Sequence, residues 1–349
     1  MCGVHGDHIC HGTLTQHRVV LVIQSMVPES QAACRIQRAT SGRYNMMPFQ
    51  LPQTFCGLTY DATKPIQVMG ACWDSATTYR SGARMGPGAI RSASRMLTDG
   101  VHELFPVDLN AHVSDAGNWN LCTGNTHLVL NQIAQSHTAM IQQGHHVVTL
   151  GGDHLITLGV LRSLHNQVGP VSVVHFDAHC DTWADHFGEP YGHGTWLRNA
   201  IQEGLVDASQ VVSVGLRSPV DSETRAWLTQ QGGTHWSART AANLSPVQMA
   251  TSIQNMLHKN LPVYLSLDID CLDPAHAPGT GTPEIGGVTS MWLSEVLDHV
   301  FQSQLQWAGM DVVEVAPAYD HSEITALAAA TFVWQYVSMQ SFKKSQLSQ

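Results

Sequence analysis

The sequence predicts an α/β protein of three layers, α/β/α, with a mostly parallel central sheet. Two observations carry this reading. Short, nearly all-apolar runs alternate with amphipathic segments along most of the chain, the pattern of strands covered on both faces by helices. Three clusters of acid and histidine side chains also follow three of these runs, at the carboxyl ends where open parallel sheets bind ligands. The composition permits such a fold: 349 residues, 43% hydrophobic and 13% charged, supply a sizeable core and exclude a disordered chain.

Residues 1–45 stand apart. They carry Cys2, His5, His8, Cys10 and His11, then Arg35, Arg38 and Arg43, with no recognised metal-ligand spacing. They are read as an N-terminal extension without fixed structure, and residues 46–349 as one catalytic domain. Within that domain a strand is expected over 66–70, helices near 88–97 and 126–143, and a strand over 145–151. A helix over 155–165 and strands over 171–177 and 211–215 follow. The series closes with a helix over 246–258, a strand over 263–268, a helix over 289–304, a strand over 307–315 and a helix from 323.

The formal net charge of −10, histidines taken as neutral, argues against nucleic acid or an anionic membrane as partner and suits a small cationic substrate. No apolar run approaches the ~20 residues of a membrane helix. The eight cysteines form no CxxC pair and no regular framework. A reducing, cytoplasmic setting is therefore expected.

Three blocks carry the chemistry: Gly151-Gly152-Asp153-His154, His175-Phe176-Asp177-Ala178-His179-Cys180-Asp181, and Ser266-Leu267-Asp268-Ile269-Asp270-Cys271-Leu272-Asp273-Pro274. Side chains two apart on an extended strand point the same way. Asp177, His179 and Asp181 converge if that geometry persists past the strand end, and Asp268 and Asp270 converge from a second strand. His154 joins them from a third. Two imidazoles and four carboxylates in one cleft would repel and be badly desolvated without a cation. One metal cannot use all six and leave room for substrate, whereas two can if carboxylates bridge them. Asp153 and Asp273 are expected to make turn hydrogen bonds, and Cys180 and Cys271 to pack into the core behind the ligands.

These blocks, with Thr280-Gly281-Thr282-Pro283-Glu284 after the third, resemble the signatures of the ureohydrolase (arginase/agmatinase) family, most closely its agmatinase branch. The segment 73–87, rich in arginine and glycine, and the block 309–320 resemble that branch too, so the likeness covers about residues 50–340. It implies an arginase-like fold and two Mn2+ per subunit, with Ni2+ compatible with the same ligands. By position it gives His154 and Asp181 to one metal and His179 and Asp270 to the other, with Asp177 and Asp268 as bridges. It sets Glu314 against a substrate guanidinium and makes His193 a loop histidine that shuttles a proton or contacts substrate. The implied catalytic set is His193, Glu314 and Asp181. Trp183, Trp196 and Glu284 are expected beside His193 and Glu314 in the pocket.

The implied reaction is hydrolysis of a guanidinium to urea and an amine. The loop from Thr182 to Trp196 lacks the asparagine- and serine-rich stretch with which arginases hold an α-amino acid group, which disfavours arginine. Agmatine leads, with Asp185 or Glu189 to meet its distal ammonium. Guanidinobutyrate and guanidinopropionate would want a cation such as Arg198, and free or alkylated guanidine a pocket closed by Trp183, Phe187 or Trp196. A metal-dependent deacetylase and an inactive partner subunit are the competing classes, both disfavoured by the full ligand set. The resemblance further implies a homo-oligomer, trimeric or hexameric.

Overall fold

The computed structural model describes residues 53–349 apart from 123, 258–259 and 348–349; the extension expected over 1–45 lies outside the described residues. Among these, eight strands form one sheet: β1 (Ile66–Gly70), β2 (Val113–Asn118), β3 (His146–Leu150), β4 (Val171–Phe176), β5 (Val206–Leu216), β6 (Thr234–Ser237), β7 (Val263–Asp268) and β8 (Trp307–Val313). Their order is β2-β1-β3-β8-β7-β4-β5-β6. Every pairing between them is parallel, so the sheet is wholly rather than mostly so.

Helices α1 (Gly86–Ala93), α2 (Thr126–Gln142), α3 (Ile156–Val168), α4 (Trp196–Gln202), α5 (Ser222–Gln230), α6 (Ala238–Ala242), α7 (Pro246–Met256), α8 (Ser290–Phe301) and α9 (Ile324–Leu347) cover the faces. The alternation of side chains along each strand divides the core into two layers. Val148, Val174, Leu265 and Met310 pack with Ile90 of α1, Ile253 of α7, Leu297 of α8 and Phe332 of α9. Val147, Val173, Tyr264 and Val313 pack on the other side with Ile133 of α2, Leu158 of α3, Leu197 of α4 and Leu228 of α5. Local signals start the helices where the chain needs them. Asn125 caps α2 by accepting from the Leu128 N–H, and Ser245 and Gln248 form a reciprocal capping box on α7 behind Pro246.

Two strands were not expected: β2 and β6, at the two edges of the sheet. β5 also begins five residues earlier than expected, and β8 stops at Val313 instead of 315, because Glu314 adopts a left-handed backbone, φ 63°. Cys56, Cys72, Cys122, Cys180 and Cys271 are free thiols. No described helix is long and apolar enough to cross a membrane.

Candidate metal centre

Strands β3, β8, β7 and β4 are neighbours at the middle of the sheet, and the segments beyond their carboxyl ends meet in one place. Gly152 allows the closest approach there: a Cβ would collide with the Trp73 carbonyl oxygen. Its own carbonyl accepts the Glu314 N–H at 2.9 Å, tying the end of β3 to that of β8. Asp153 is buried and accepts from the N–H groups of Ala76 (2.8 Å) and Leu155 (3.2 Å). Asp273 accepts from those of Ala275, Gly286 and Gly287. Both make the turns expected of them.

Extended geometry does not deliver the acids, contrary to the spacing argument. β4 ends at Phe176 and β7 at Asp268, and the chain then turns. Asp268 accepts the Asp270 N–H at 2.9 Å, opening a 3-10 turn at Ile269–Cys271. Asp177 accepts the His179 N–H at 2.6 Å in the same way. Asp181 and Glu314 take φ of 51° and 63°. For non-glycine residues such backbone costs on the order of 1–3 kcal/mol each and persists where surrounding structure imposes it.

The six ligand candidates nonetheless come together. His154 Nδ1 lies 3.1 Å from an oxygen of each of Asp177, Asp181 and Asp268. His179 Nδ1 lies 3.2 Å from the other Asp177 oxygen and 3.1 Å from Asp270 Oδ2. Asp177 therefore joins two adjoining groups. The Asp268 side chain touches His154 on one side and gives its other oxygen to the Asp270 N–H.

A ring nitrogen carries at most one hydrogen, so His154 Nδ1 cannot donate to three oxygens. Three carboxylates converge on one imidazole nitrogen. Two groups sharing Asp177 are close enough to hold an ion: His154 with His175, Asp177 and Asp181, and Asp177 with His179 and Asp270. Such oxygen and imidazole donors fit hard divalent cations. Electrostatics agree. Burial, with the charges of Asp270 and Asp177, holds Asp268 well above the usual carboxylate range, and burial raises Asp270 as well. Burial would raise Asp177 too, but hydrogen bonds from His154, His175 and His179 outweigh it and hold that carboxyl well below the range. For His154 and His179 burial acts downward, and the surrounding aspartates outweigh it, so both stand well above the usual imidazole value. Without a cation, the two imidazoles and Asp268 are shifted towards their protonated forms.

Beside the cluster opens a cavity of about 490 Å³ lined by Thr78, Arg80, His154, His179, Asp181, Trp183, His186, His193, Ser218, Asp268 and Glu284, among others. Glu314 is buried behind the lining, in contact with the lining residues His154 and His193. Its Oε1 accepts from the His154 N–H at 2.9 Å and from His193 Nδ1 at 3.0 Å, whereas its Oε2, equally buried, has no hydrogen-bond partner. Gly281 lies beside that oxygen and allows close approach to the Arg80 carbonyl, which a Cβ would strike. His193 Nε2 faces Thr78 Oγ1 at 2.8 Å. Burial lowers the His193 pKa, but its bond to Glu314 prevails and leaves it raised.

Several pocket assignments change. Trp196, expected in the pocket, is fully buried, stacks on His154 with ring centres 4.9 Å apart, and donates its indole N–H to Asp181 Oδ2 at 2.6 Å. It opens α4, and helix packing turns it behind the cluster. Asp185 and Glu189 shape the tip of the 182–196 loop by accepting from the Gly188 and Tyr191 N–H groups, and Phe187 there is 98% exposed. Arg198 lies over the Trp227 ring, away from the cavity lining. Trp183 and Glu284 do line the cavity.

Sequence reasoning missed His175, whose Nε2 lies 2.9 Å from Asp177 Oδ2; its place two residues before Asp177 was the available signal. It also missed Arg80 and His186 in the cavity wall.

With this geometry in view, a model of the arginase family matches residues 64–338. The chain is 39% identical to an agmatinase of Edwardsiella ictaluri over 298 residues, 84% of this chain and 93% of that protein. It is 38% identical to an agmatinase of Shigella dysenteriae over 301 residues, 85% of this chain and 94% of that one. A crystal structure of a hypothetical agmatinase from Burkholderia thailandensis matches with a TM-score of 0.75 at 36% identity, covering 84% of this chain and 92% of that one. Proclavaminate amidino hydrolase from Streptomyces clavuligerus matches with 0.76 at 34%, covering 84% and 98%.

Proposed function

The chain belongs to the arginase family, and from that premise we propose that it hydrolyses agmatine to putrescine and urea at a centre holding two divalent cations. His154 and Asp181 would hold one ion and His179 and Asp270 the other, with Asp177 and Asp268 available to both. Manganese suits these oxygens and imidazoles, and nickel is compatible with them. When bound, such ions supply Lewis acidity and lower the pKa of water from about 15.7 towards about 7.

Glu314 carries the reading. A buried carboxylate oxygen without a partner costs about 1–3 kcal/mol or more, and a guanidinium N–H is the donor that would relieve it. His193 holds the other oxygen and so fixes the carboxylate's orientation. With its pKa raised by Glu314, His193 is the acid that delivers a proton to the departing amine nitrogen once that nitrogen replaces Thr78, whose N–H and hydroxyl meet Nε2 at 3.3 and 2.8 Å. Asp181 is oriented by the Trp196 indole. Glu284 lines the cavity, accepts from Ser218 Oγ at 2.9 Å and stands 3.9 Å from His179 Nε2; it is the carboxylate assigned to the distal ammonium.

Arg80 favours a second reading. Its guanidinium lies 5.0 Å from the Tyr79 ring centre and 5.2 Å from that of Tyr319, lines the cavity and makes no ion pair among the described residues. A guanidino compound ending in a carboxylate would pair with it. Release of urea from agmatine, guanidinobutyrate, guanidinopropionate, guanidine and arginine, with manganese and with nickel, separates the readings. Agmatine is expected to be the best substrate. Turnover of guanidinobutyrate without agmatine would move the substrate to the Arg80 reading; no urea from any compound would overturn both. A trimeric or hexameric homo-oligomer in the cytoplasm completes the proposal, and light scattering tests the assembly.

A further inference from the structure

Beneath His154, on the side away from the cavity, lies a chain of hydroxyl groups ending in a carboxylate. His154 Nε2 lies 2.9 Å from Ser266 Oγ, and Ser266 Oγ donates to Asp311 Oδ1 at 2.7 Å. Asp311 Oδ2 accepts from Thr157 Oγ1 at 2.7 Å and from the Tyr264 hydroxyl at 2.8 Å. Ser266 and Asp311 are direct partners across β7 and β8, so sheet register alone brings them together. All of these groups are buried, and Trp196 stacked on His154 holds the plane of the ring.

We propose that Asp311 is a positioning residue for the first metal site, acting through Ser266 to fix the tautomer of His154. A serine hydroxyl has one hydrogen. Because that hydrogen goes to Asp311, Ser266 can only accept from His154, which places the imidazole hydrogen on Nε2. In the neutral ring Nδ1 is then bare, and its lone pair faces the three aspartate oxygens. The negative charge at the end of the chain also makes the imidazole a stronger donor to a cation. The inference rests on the metal reading above, and among the described residues no hydroxyl chain of this kind supports His179, whose Nε2 lies towards Glu284 at 3.9 Å.

The test is Mn2+ binding by chelator competition on the full chain, read beside thermal stability, for wild type, Asp311→Asn, Ser266→Ala and Ser266→Thr. Asp311→Asn and Ser266→Ala are expected to weaken one of the two ions by about 10–100-fold and spare the other. Ser266→Thr, which keeps the hydroxyl, is expected to restore the affinity. In the zinc-loaded wild-type protein, the 15N signals of His154 are expected to show a protonated Nε2 and a metal-bound Nδ1. Unchanged Mn2+ affinity in folded Ser266→Ala, equal weakening of both ions, or a hydrogen on Nδ1 with Nε2 bare would overturn the proposal. A wild-type protein that binds no ion under any loading would instead overturn the metal reading on which it rests.

Discussion

Among single residues, Glu314 concentrates the largest unmet demand. Its carboxylate is buried, held at one oxygen by His193 and the His154 N–H, and unpaired at the other. Glu314→Gln keeps the shape and an acceptor but removes the charge that answers a guanidinium. Losing one partner of a buried, hydrogen-bonded charge pair costs about 2–5 kcal/mol. A fall in kcat/KM of roughly 30-fold or more is therefore expected, with metal content and melting temperature retained. Steady-state kinetics beside metal analysis checks this, and a variant with near wild-type kcat/KM would remove Glu314 from the site. His193 yields a prediction in pH. Its raised pKa keeps the acid form beyond the ordinary imidazole value of about 6.5. Since the proposed role needs that proton, kcat should fall as pH rises through the raised value. The descending limb should vanish in His193→Gln, and persistence of that limb would assign it to another group.

At the scale of elements, the site depends on how closely four strand ends approach, and Gly152 is where the approach is tightest. Gly152→Ala would drive a methyl into the Trp73 carbonyl and push the end of β3 away from the segment after β1, disturbing the Gly152 carbonyl that accepts the Glu314 N–H. Overpacking of this kind costs about 1–3 kcal/mol. The expected result is a lower melting temperature together with weaker Mn2+ binding, measured by scanning calorimetry and metal titration. Undiminished stability would show that the junction yields. Much of this scale was legible in the sequence. The four central strands read as nearly all-apolar runs because both of their faces are covered, and the ends of β3, β4 and β7 were marked by the acid and histidine blocks. The edge strands were not legible. β2 carries Asp115, which pairs with Arg91 at 2.7 Å and accepts the Phe55 N–H, and β6 is only four residues long and half-buried. Their pairing is decided by neighbours distant in sequence. The turns after β4 and β7 escaped for a related reason: Asp177 and Asp268 serve both as candidate ligands and as caps of their own turns, and spacing shows only the first role. Trp196 was misplaced because an aromatic beside a loop histidine reads alike whether it faces a cavity or the core.

For the molecule as a whole, the metal cluster sets protonation against cation binding, and stability should reveal the competition. An ion that binds the folded chain and not the unfolded one stabilises it by RT ln(1 + [L]/Kd), about 2.7 kcal/mol at a hundredfold excess over Kd. His154 and His179 stand well above the ordinary imidazole value while the cluster holds no ion. Their contribution to metal-free stability is complete below the unfolded value of about 6.5 and is lost as pH rises through the raised folded values. The same protons must leave before a cation can occupy the nitrogens, so metal affinity strengthens over that window. Both effects have one sign: the gap in melting temperature between metal-loaded and metal-free protein should widen as pH rises from 6 to 8. Melting curves with excess Mn2+ and with chelator, at three pH values, measure it. Calorimetric titration in buffers of different ionisation enthalpy should show protons released on binding. A gap that stays constant with pH, or no proton release, would mean that the converging aspartates and histidines do not exchange protons for metal, and the two-ion reading of the cluster would fall.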